Sequence, residues 1–329
     1  MKKLVLIMLL GVMAIVAGCT SSGGSGDSRE NGFELDSSFN GGDDALVFSF
    51  LDQAPPSNIR DQGLQPFSVR LEIENLGEYD IPDNTGFVSL TGFNPRDLGL
   101  NDTSKPLMNL RGYKKQGDNT IPGGRQQVVF DNLRYENSVV SGSVPLTIFA
   151  NVCYPYETRA FALACINGDT VPSLDERTEI CDLEGSKEFA NSGGPVKIDN
   201  VEQYAYGQNS IQIQFDIVHT PTSDQSNLYE RGSIDSNCRI DGSSPGSSEA
   251  LFKRDKVTYE VQTGIPGLSC EGTGTGTNTV TLTENRYTVT CIQNTLGEEE
   301  YPKPISIFLK YDYLDRESVD IRVEHIDTN

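Results

Sequence analysis

Apolar and polar residues alternate with a period of two along most of this chain. Phe67, Val69, Leu71 and Ile73 are separated by Ser68, Arg70, Glu72 and Glu74. Ile211, Ile213, Phe215 and Ile217 alternate with Gln212, Gln214, Asp216 and Val218, and Val257, Tyr259 and Val261 with Thr258, Glu260 and Gln262. Successive strand side chains point to opposite faces, so this pattern predicts antiparallel strands with one buried and one wet face. Runs at 45–51, 87–90, 126–130, 280–282 and 287–291 extend the series, separated by Gly, Pro, Asn and Asp. Beyond the N-terminal apolar run no helical stripe occurs, and only 167–191 reads as irregular or briefly helical. The expected class is all-β.

Two segments repeat. Residues 145–154 (PLTIFANVCY) align with 304–313 (PISIFLKYDY), and each reads as running through a short turn into a second strand, at 160–166 and 319–323. Farther upstream, 67–73 and 211–217 take comparable places. Two copies of one β-sandwich, each closing with its last hairpin, explain this economically. The join falls at Ser192-Gly193-Gly194-Pro195.

The N-terminus carries Lys2 and Lys3, an apolar run over 4–16, and then Val16-Ala17-Gly18-Cys19. As a helix that run is too short for a hydrocarbon core about 30 Å thick, and its anatomy is that of a secretory signal. A cysteine directly after Val-Ala-Gly resembles the lipobox of prokaryotic lipoproteins. The resemblance implies that Cys19 is acylated on sulfur, becomes the mature N-terminus, and holds an exported chain to the outer face of the cell or in the periplasm. Residues 20–43, rich in Gly, Ser and Asp, read as a tether reaching roughly 25–30 Å. The expected organisation is therefore 1–18 signal peptide, 19–43 flexible tether, 44–193 first sandwich and 194–329 second sandwich.

Charge narrows the partners. The chain carries −21, and loss of Lys2 and Lys3 takes the mature form to −23. Such a chain repels nucleic acid and anionic headgroups, so no nucleic-acid partner is expected. Its acids are spread out, and no Asp-x-Asp-x-Asp-Gly loop supports calcium binding. Asn101, in Asn101-Asp102-Thr103, is the one N-glycosylation candidate.

Metal-ligand spacings are missing from the sequence. His219 and His325 are the two histidines, and neither His-Glu-x-x-His nor Cys-x-x-Cys occurs, so no metal and no cofactor are expected. His219 reads as surface at an exposed strand end. The glycine-threonine run over 272–277 lacks the Lys-Ser/Thr of a phosphate loop and reads as a hairpin loop. Without Trp a sugar-processing cleft is a poor fit. The chain is expected not to be an enzyme, and no residue is assigned a catalytic role.

Besides Cys19 there are six cysteines, Cys153, Cys165, Cys181, Cys238, Cys270 and Cys291. An even number in an exported chain points to disulfides. In the repeat, Leu146, Ile148, Ala150 and Val152 match Ile305, Ile307, Leu309 and Tyr311, which should face the core. Cys153 then matches Asp312, and Cys165 falls near Glu324, on the opposite face. These two cysteines should staple something onto the outside, the nearest candidate being the 167–191 segment with Cys181. Three cysteines fall in each half, so either one bridge crosses between the halves or each half keeps a free thiol. The crossing is expected, with Cys165–Cys181 and Cys270–Cys291 as local staples and Cys153–Cys238 joining the halves.

Lipobox, tether and paired sandwiches together resemble prokaryotic, especially archaeal, surface lipoproteins with tandem immunoglobulin-like domains. Residues 67–77 (FSVRLEIENLG) are similar to the opening strands of CARDB-type adhesion-related domains. Residues 153–158 (CYPYET) look like a motif recurring in uncharacterised archaeal proteins of this kind. The resemblance implies a non-catalytic, membrane-anchored protein of binding, adhesion or scaffolding, directed at a protein or surface polymer. A solute-binding or accessory subunit of a membrane complex is the alternative. Recognition would fall to end loops at 81–86, 97–105, 221–232 and 272–278.

Overall fold

Alternation becomes strand throughout the computed structural model, which describes residues 39–117, 119–168, 180–271, 276–294, 296–297 and 299–326. The first half gives β1 (Leu46–Phe50), β2 (Asn58–Arg60), β3 (Phe67–Asn75), β4 (Phe87–Thr91), β5 (Ser104–Pro106), β6 (Lys114–Gln116), β7 (Asn119–Ile121), β8 (Arg125–Leu133) and β9 (Ser143–Ile166). The second gives β10 (Gly185–Ser186), β11 (Phe189–Asn191), β12 (Val196–Ala205), β13 (Ser210–His219), β14 (Asn227–Tyr229), helix α1 (Ser248–Leu251), β15 (Lys256–Gln262), β16 (Leu268–Cys270), β17 (Thr277–Thr281), β18 (Arg286–Asn294) and β19 (Tyr301–Glu324). The all-β class is as expected.

Two small sheets, β1-β3-β8 and β10-β12-β13-β18-β16, are set against a nine-stranded sheet ordered β17-β15-β19-β9-β4-β5, with β2, β11 and β14 joined beside it. The three-stranded sheet is drawn from residues 46–133 and the five-stranded one from residues 185–294, whereas the large sheet takes strands from both stretches and beyond. Its middle is the pairing of β9 with β19, antiparallel and unbroken over 24 residues each. At about 3.4 Å per residue these strands run to roughly 80 Å, far beyond ordinary strand lengths. Ile148, Ala150, Val152, Ala160 and Ala162 of β9, with Ile305, Ile307 and Leu309 of β19, are all buried within one continuous core. Their even or odd spacing puts them on one face of the large sheet, so both small sheets cover that same face. The ring of Phe215 on β13 meets Tyr259 on β15 edge-on at 6.4 Å, and Lys105 on β5 reaches over Phe130 on β8.

The repeated segments lie in β9 and β19. Tyr154 aligns with Tyr313 in the repeat and is also its partner across the ladder, so an approximate two-fold axis passes through that pair. The expected turns after 154 and 313 are absent, because both strands continue. Pro155 suggested a break since it lacks an N–H. It sits where β9 has lost β4, which ends at Phe87 opposite Cys153, and has not yet gained β11, which starts opposite Ala160.

Tyrosines fill the middle of the core. Tyr156 faces Tyr311, Tyr154 faces Tyr313, and neighbouring centroids in this square lie 5.8–6.3 Å apart. A buried phenol needs a hydroxyl partner, and three of the four find one in a segment reaching in from outside the large sheet, the fourth on β9 itself. Tyr156 donates to the Gly193 carbonyl at 2.7 Å, and Tyr154 accepts from the Leu46 amide at 3.3 Å. Tyr311 pairs with Thr158 at 3.0 Å, and Tyr313 accepts from the Thr222 amide at 3.3 Å.

Several expectations change. The Ser192–Pro195 join is buried rather than exposed linker. Its glycines serve close approach: a Cβ on Gly194 would come within 2.8 Å of the Tyr156 ring. Glu34–Asn329 form one compact unit, so the boundary drawn at 193/194 divides strands that share a sheet. Within the expected tether, Phe39 stacks on Phe161 at 5.2 Å, the Asn40 and Gly41 amides donate to Glu78 at 3.1 Å, and Asp43 pairs with Lys197. The signal, Cys19 and residues 20–38 of the tether lie outside the described residues. Strand β12 was not anticipated, because a bulge between Asp199 and Glu202 shifts its register and breaks the alternation.

Candidate functional site

The outer face of the β9–β19 pair would be open to water but for the segment that follows β14. That strand pairs with Asp312–Leu314, and the chain then wanders through Ser, Asn, Asp and Gly before returning at Asp255, whose amide donates to the Leu228 carbonyl at 2.8 Å. Asp235 shapes the turn by accepting the Asn237 and Arg239 amides at 2.8 and 2.9 Å. Ser247 caps α1 by accepting the Ala250 amide at 3.2 Å. The segment is fastened by the Cys153–Cys238 disulfide and by a second apolar cluster of Tyr229, Ile240, Ala250 and Leu314. The bridge spans 85 residues, which in the chain-entropy account stabilises by about 4.5 kcal/mol.

All three disulfides carry the expected partners. Cys165–Cys181 spans 16 residues and Cys270–Cys291 spans 21. Cys153 points outward as its alignment with Asp312 implied, and its bridge crosses between the halves. Glu300 lies beside Cys165 and Cys181, with its Oε1 accepting the Ile180 and Cys181 amides at 2.8 and 3.1 Å. Both sulfurs are committed to the disulfide, so this trio is not a metal site as it stands. Asn101 is exposed, as a glycan acceptor requires.

Under the stapled segment lies a recess of about 260 Å³, lined by Thr85, Phe87, Pro155, Arg231, Ile234 and Asp312. Two of the expected loops, 81–86 and 221–232, contribute to it. Asp312 is 4% exposed and accepts the Gly232 and Ile234 amides at 2.9 and 3.2 Å. Burial pushes its carboxyl up to about 6, although the amides and Arg231 pull the other way. Arg231 lies 3.9 Å from that carboxylate and donates to the Tyr156 and Tyr311 carbonyls at 3.1 and 3.2 Å. It thereby spans the gap between β9 and β19 at their centre.

Along the same face, Arg316 stands opposite Asn151. Its Nε donates to Asn151 Oδ1 at 2.7 Å, and its guanidinium lies over the Phe149 ring at 5.4 Å. Asn151 is held in turn by donating to the Ser89 carbonyl at 3.1 Å and the Thr91 hydroxyl at 2.9 Å. Two further recesses, each about 160 Å³, flank Arg316.

The histidines lie on different elements. His219 is 5% exposed rather than at an exposed strand end, edge-on to Tyr313, and burial lowers it to about 4. His325 Nδ1 meets Asp61 at 2.8 Å, and Asp61 also accepts the Val139 and Ile326 amides at 2.9 and 3.1 Å. Burial raises the Asp61 carboxyl, but these bonds and His325 outweigh it and bring it down to about 2. The pair ties the end of β19 to the turn after β2.

Sequence reasoning did not single out Arg231, Asp312, Asn151 or Arg316 as a group. Asp312 was legible as an outward polar position, but its burial depends on a cover supplied from 229–255. The loop at 272–278 lies largely outside the described residues.

Fold and face together define an all-β protein with a disulfide-clipped segment on its outer face. The chain matches no family model, and it matches no curated protein.

Proposed function

We propose that this chain is a non-catalytic, lipid-anchored surface protein that acts in binding or scaffolding. The reading keeps the resemblance to archaeal-type lipoproteins with CARDB-like sandwiches. The observation that carries it is the clipped segment, a polar loop bridged onto the central strand pair. Three disulfides fit an oxidising compartment. Among the described residues no helix is long and apolar enough to cross a membrane. The partner is a protein or a surface polymer, and nucleic acid is disfavoured by charge.

The alternative, capture of a small solute by an accessory subunit, draws on the recess beside Asp312. Its 260 Å³ falls below the roughly 300–1,000 Å³ typical of small-molecule sites, so this reading stands second. The deciding experiment is Cys19→Ala in the native host. It should abolish the acyl mass increment and move the protein from membrane to soluble or unprocessed fractions. Unchanged membrane partition with no acyl mass would overturn the anchored reading.

A further inference from the structure

The two smaller recesses on the outer face adjoin, since Pro245 and Arg316 line both. We propose that they form one cleft for an acidic glycan, a sugar chain bearing carboxylate or sulfate groups. This rests on the reading of the protein as a binding body and names its ligand.

Arg316 is the centre of the argument. Asn151, 3% exposed, spends both amide hydrogens on β4 and turns its oxygen to Arg316 Nε. The Phe149 ring supports one face of the guanidinium. Nε and one face are thus fixed, whereas the two Nη groups have no carboxylate within 4.0 Å among the described residues. Other arginines differ: Arg286 holds Asp216 at 2.6 Å and Arg125 holds Glu74 at 2.8 Å. A preorganised, unpaired guanidinium edge matches the fork of a carboxylate or sulfate.

The walls carry the same sign. Arg239 lines one recess and Arg254 the other, and no aspartate or glutamate lines either. Arg239 is exposed and makes no ion pair among the described residues, while Arg254 has only Asp255, at 3.6 Å. In a chain of net charge −21 this grouping of three arginines departs from the general composition. The overall charge repels a polyanion at long range, but at physiological salt that field decays within about 8 Å. At contact, therefore, the arginines decide.

The remaining lining indicates sugar rather than peptide. Thr91, Thr103, Ser244 and Asn237 in one recess, with Gln225 and Asn227 in the other, offer both donors and acceptors, as sugar hydroxyls require. A peptide adding as a further β-strand would need an unpaired sheet edge. The floor here is instead the central β9–β19 pair. Each recess of about 160 Å³ has room for roughly five waters, a ring-sized space.

The test is calorimetric titration of the full chain with polygalacturonate, dextran sulfate, neutral dextran and polyglutamate. At least one acidic glycan should bind, more weakly as salt rises, and neutral dextran should not. Losing a charged hydrogen-bonding partner should weaken binding about 10-fold or more in Arg316→Gln, and by a smaller factor in Arg239→Gln, with Arg125→Gln unchanged. The Arg239 side chain makes no ion pair or hydrogen bond among the described residues, its bonds being those of its backbone, so its effect would not reflect misfolding. Binding equal in all variants, binding of neutral dextran, or no acidic-glycan binding would overturn the proposal. Polyglutamate bound as tightly and with the same dependence on Arg316 would reassign the cleft to acidic peptides. If glycan binding fails while Cys19→Ala still releases the protein from membranes, only the ligand is lost and the anchored reading stands.

Discussion

The two faces of the β9–β19 pair share residues one step apart in sequence and are held by different physics. On the inner face Tyr154, Tyr156, Tyr311 and Tyr313 form a close-packed square whose hydroxyls are all bonded. On the outer face Cys153, Asp312 and Arg316 lie under a segment of little apolar content, held by one bridge and a small apolar cluster. Packing holds the inner face, so it tolerates few changes. A covalent clip and polar bonds hold the outer one, so its chemistry is free to differ without cost to the core.

If that contrast holds, Cys153→Ala with Cys238→Ala should have the largest effect. The pair of changes should cost about 4.5 kcal/mol and release the 229–255 segment to proteolysis, leaving tyrosine near-UV dichroism in place. Loss of the tyrosine signal as well would show the two faces to be one cooperative unit. Asp312→Asn tests the outer face alone. Wild-type Asp312 keeps its proton up to about 6 when folded, while the unfolded chain loses it near 3.8. Folding stability should therefore fall as pH rises from about 4 to 6, by roughly 3 kcal/mol at 1.36 kcal/mol per unit. In Asp312→Asn denaturation midpoints should be flatter across that window, and an unchanged slope would place the titration elsewhere. The smallest expected effect is on the inner face. Tyr156→Phe keeps the ring and leaves the Gly193 carbonyl unpaired, costing about 1–2 kcal/mol in urea unfolding, with no change in the outer recesses.

The same contrast explains what was legible in the sequence. Long runs such as Phe67–Asn75 and Ser210–His219 were readable because one buried face imposes strict alternation. The outward aim of Cys153 followed from its alignment with Asp312. Strand β12 was hidden by its bulge, and the continuity of β9 by Pro155, whose meaning depends on which neighbours flank it. Gly193 and Gly194 read as a join between domains because glycine serves flexibility and close approach alike, and only the neighbours, Gly41 for one and the Tyr156 ring for the other, decide between them. The Arg316 cleft was illegible for another reason. Its wall and floor lie some 60–85 residues apart along the chain (Arg254 to Arg316, Asn151 to Asn237) and meet only in the folded molecule.

The long strand pair also sets an order in time. Ile166 pairs with Tyr301 and Ser143 with Glu324, so every rung joins residues at least 135 positions apart. Loop closure over such spans is slow and its entropy is lost before any contact compensates for it. The small sheets can zip from nearby strands, as β12, β13 and β18 do on one side and β1, β3 and β8 on the other. During synthesis β9 must wait for β19, its apolar face and open edge exposed in the meantime. The aromatic centre, which needs both long strands, is therefore the latest part of the molecule to be born.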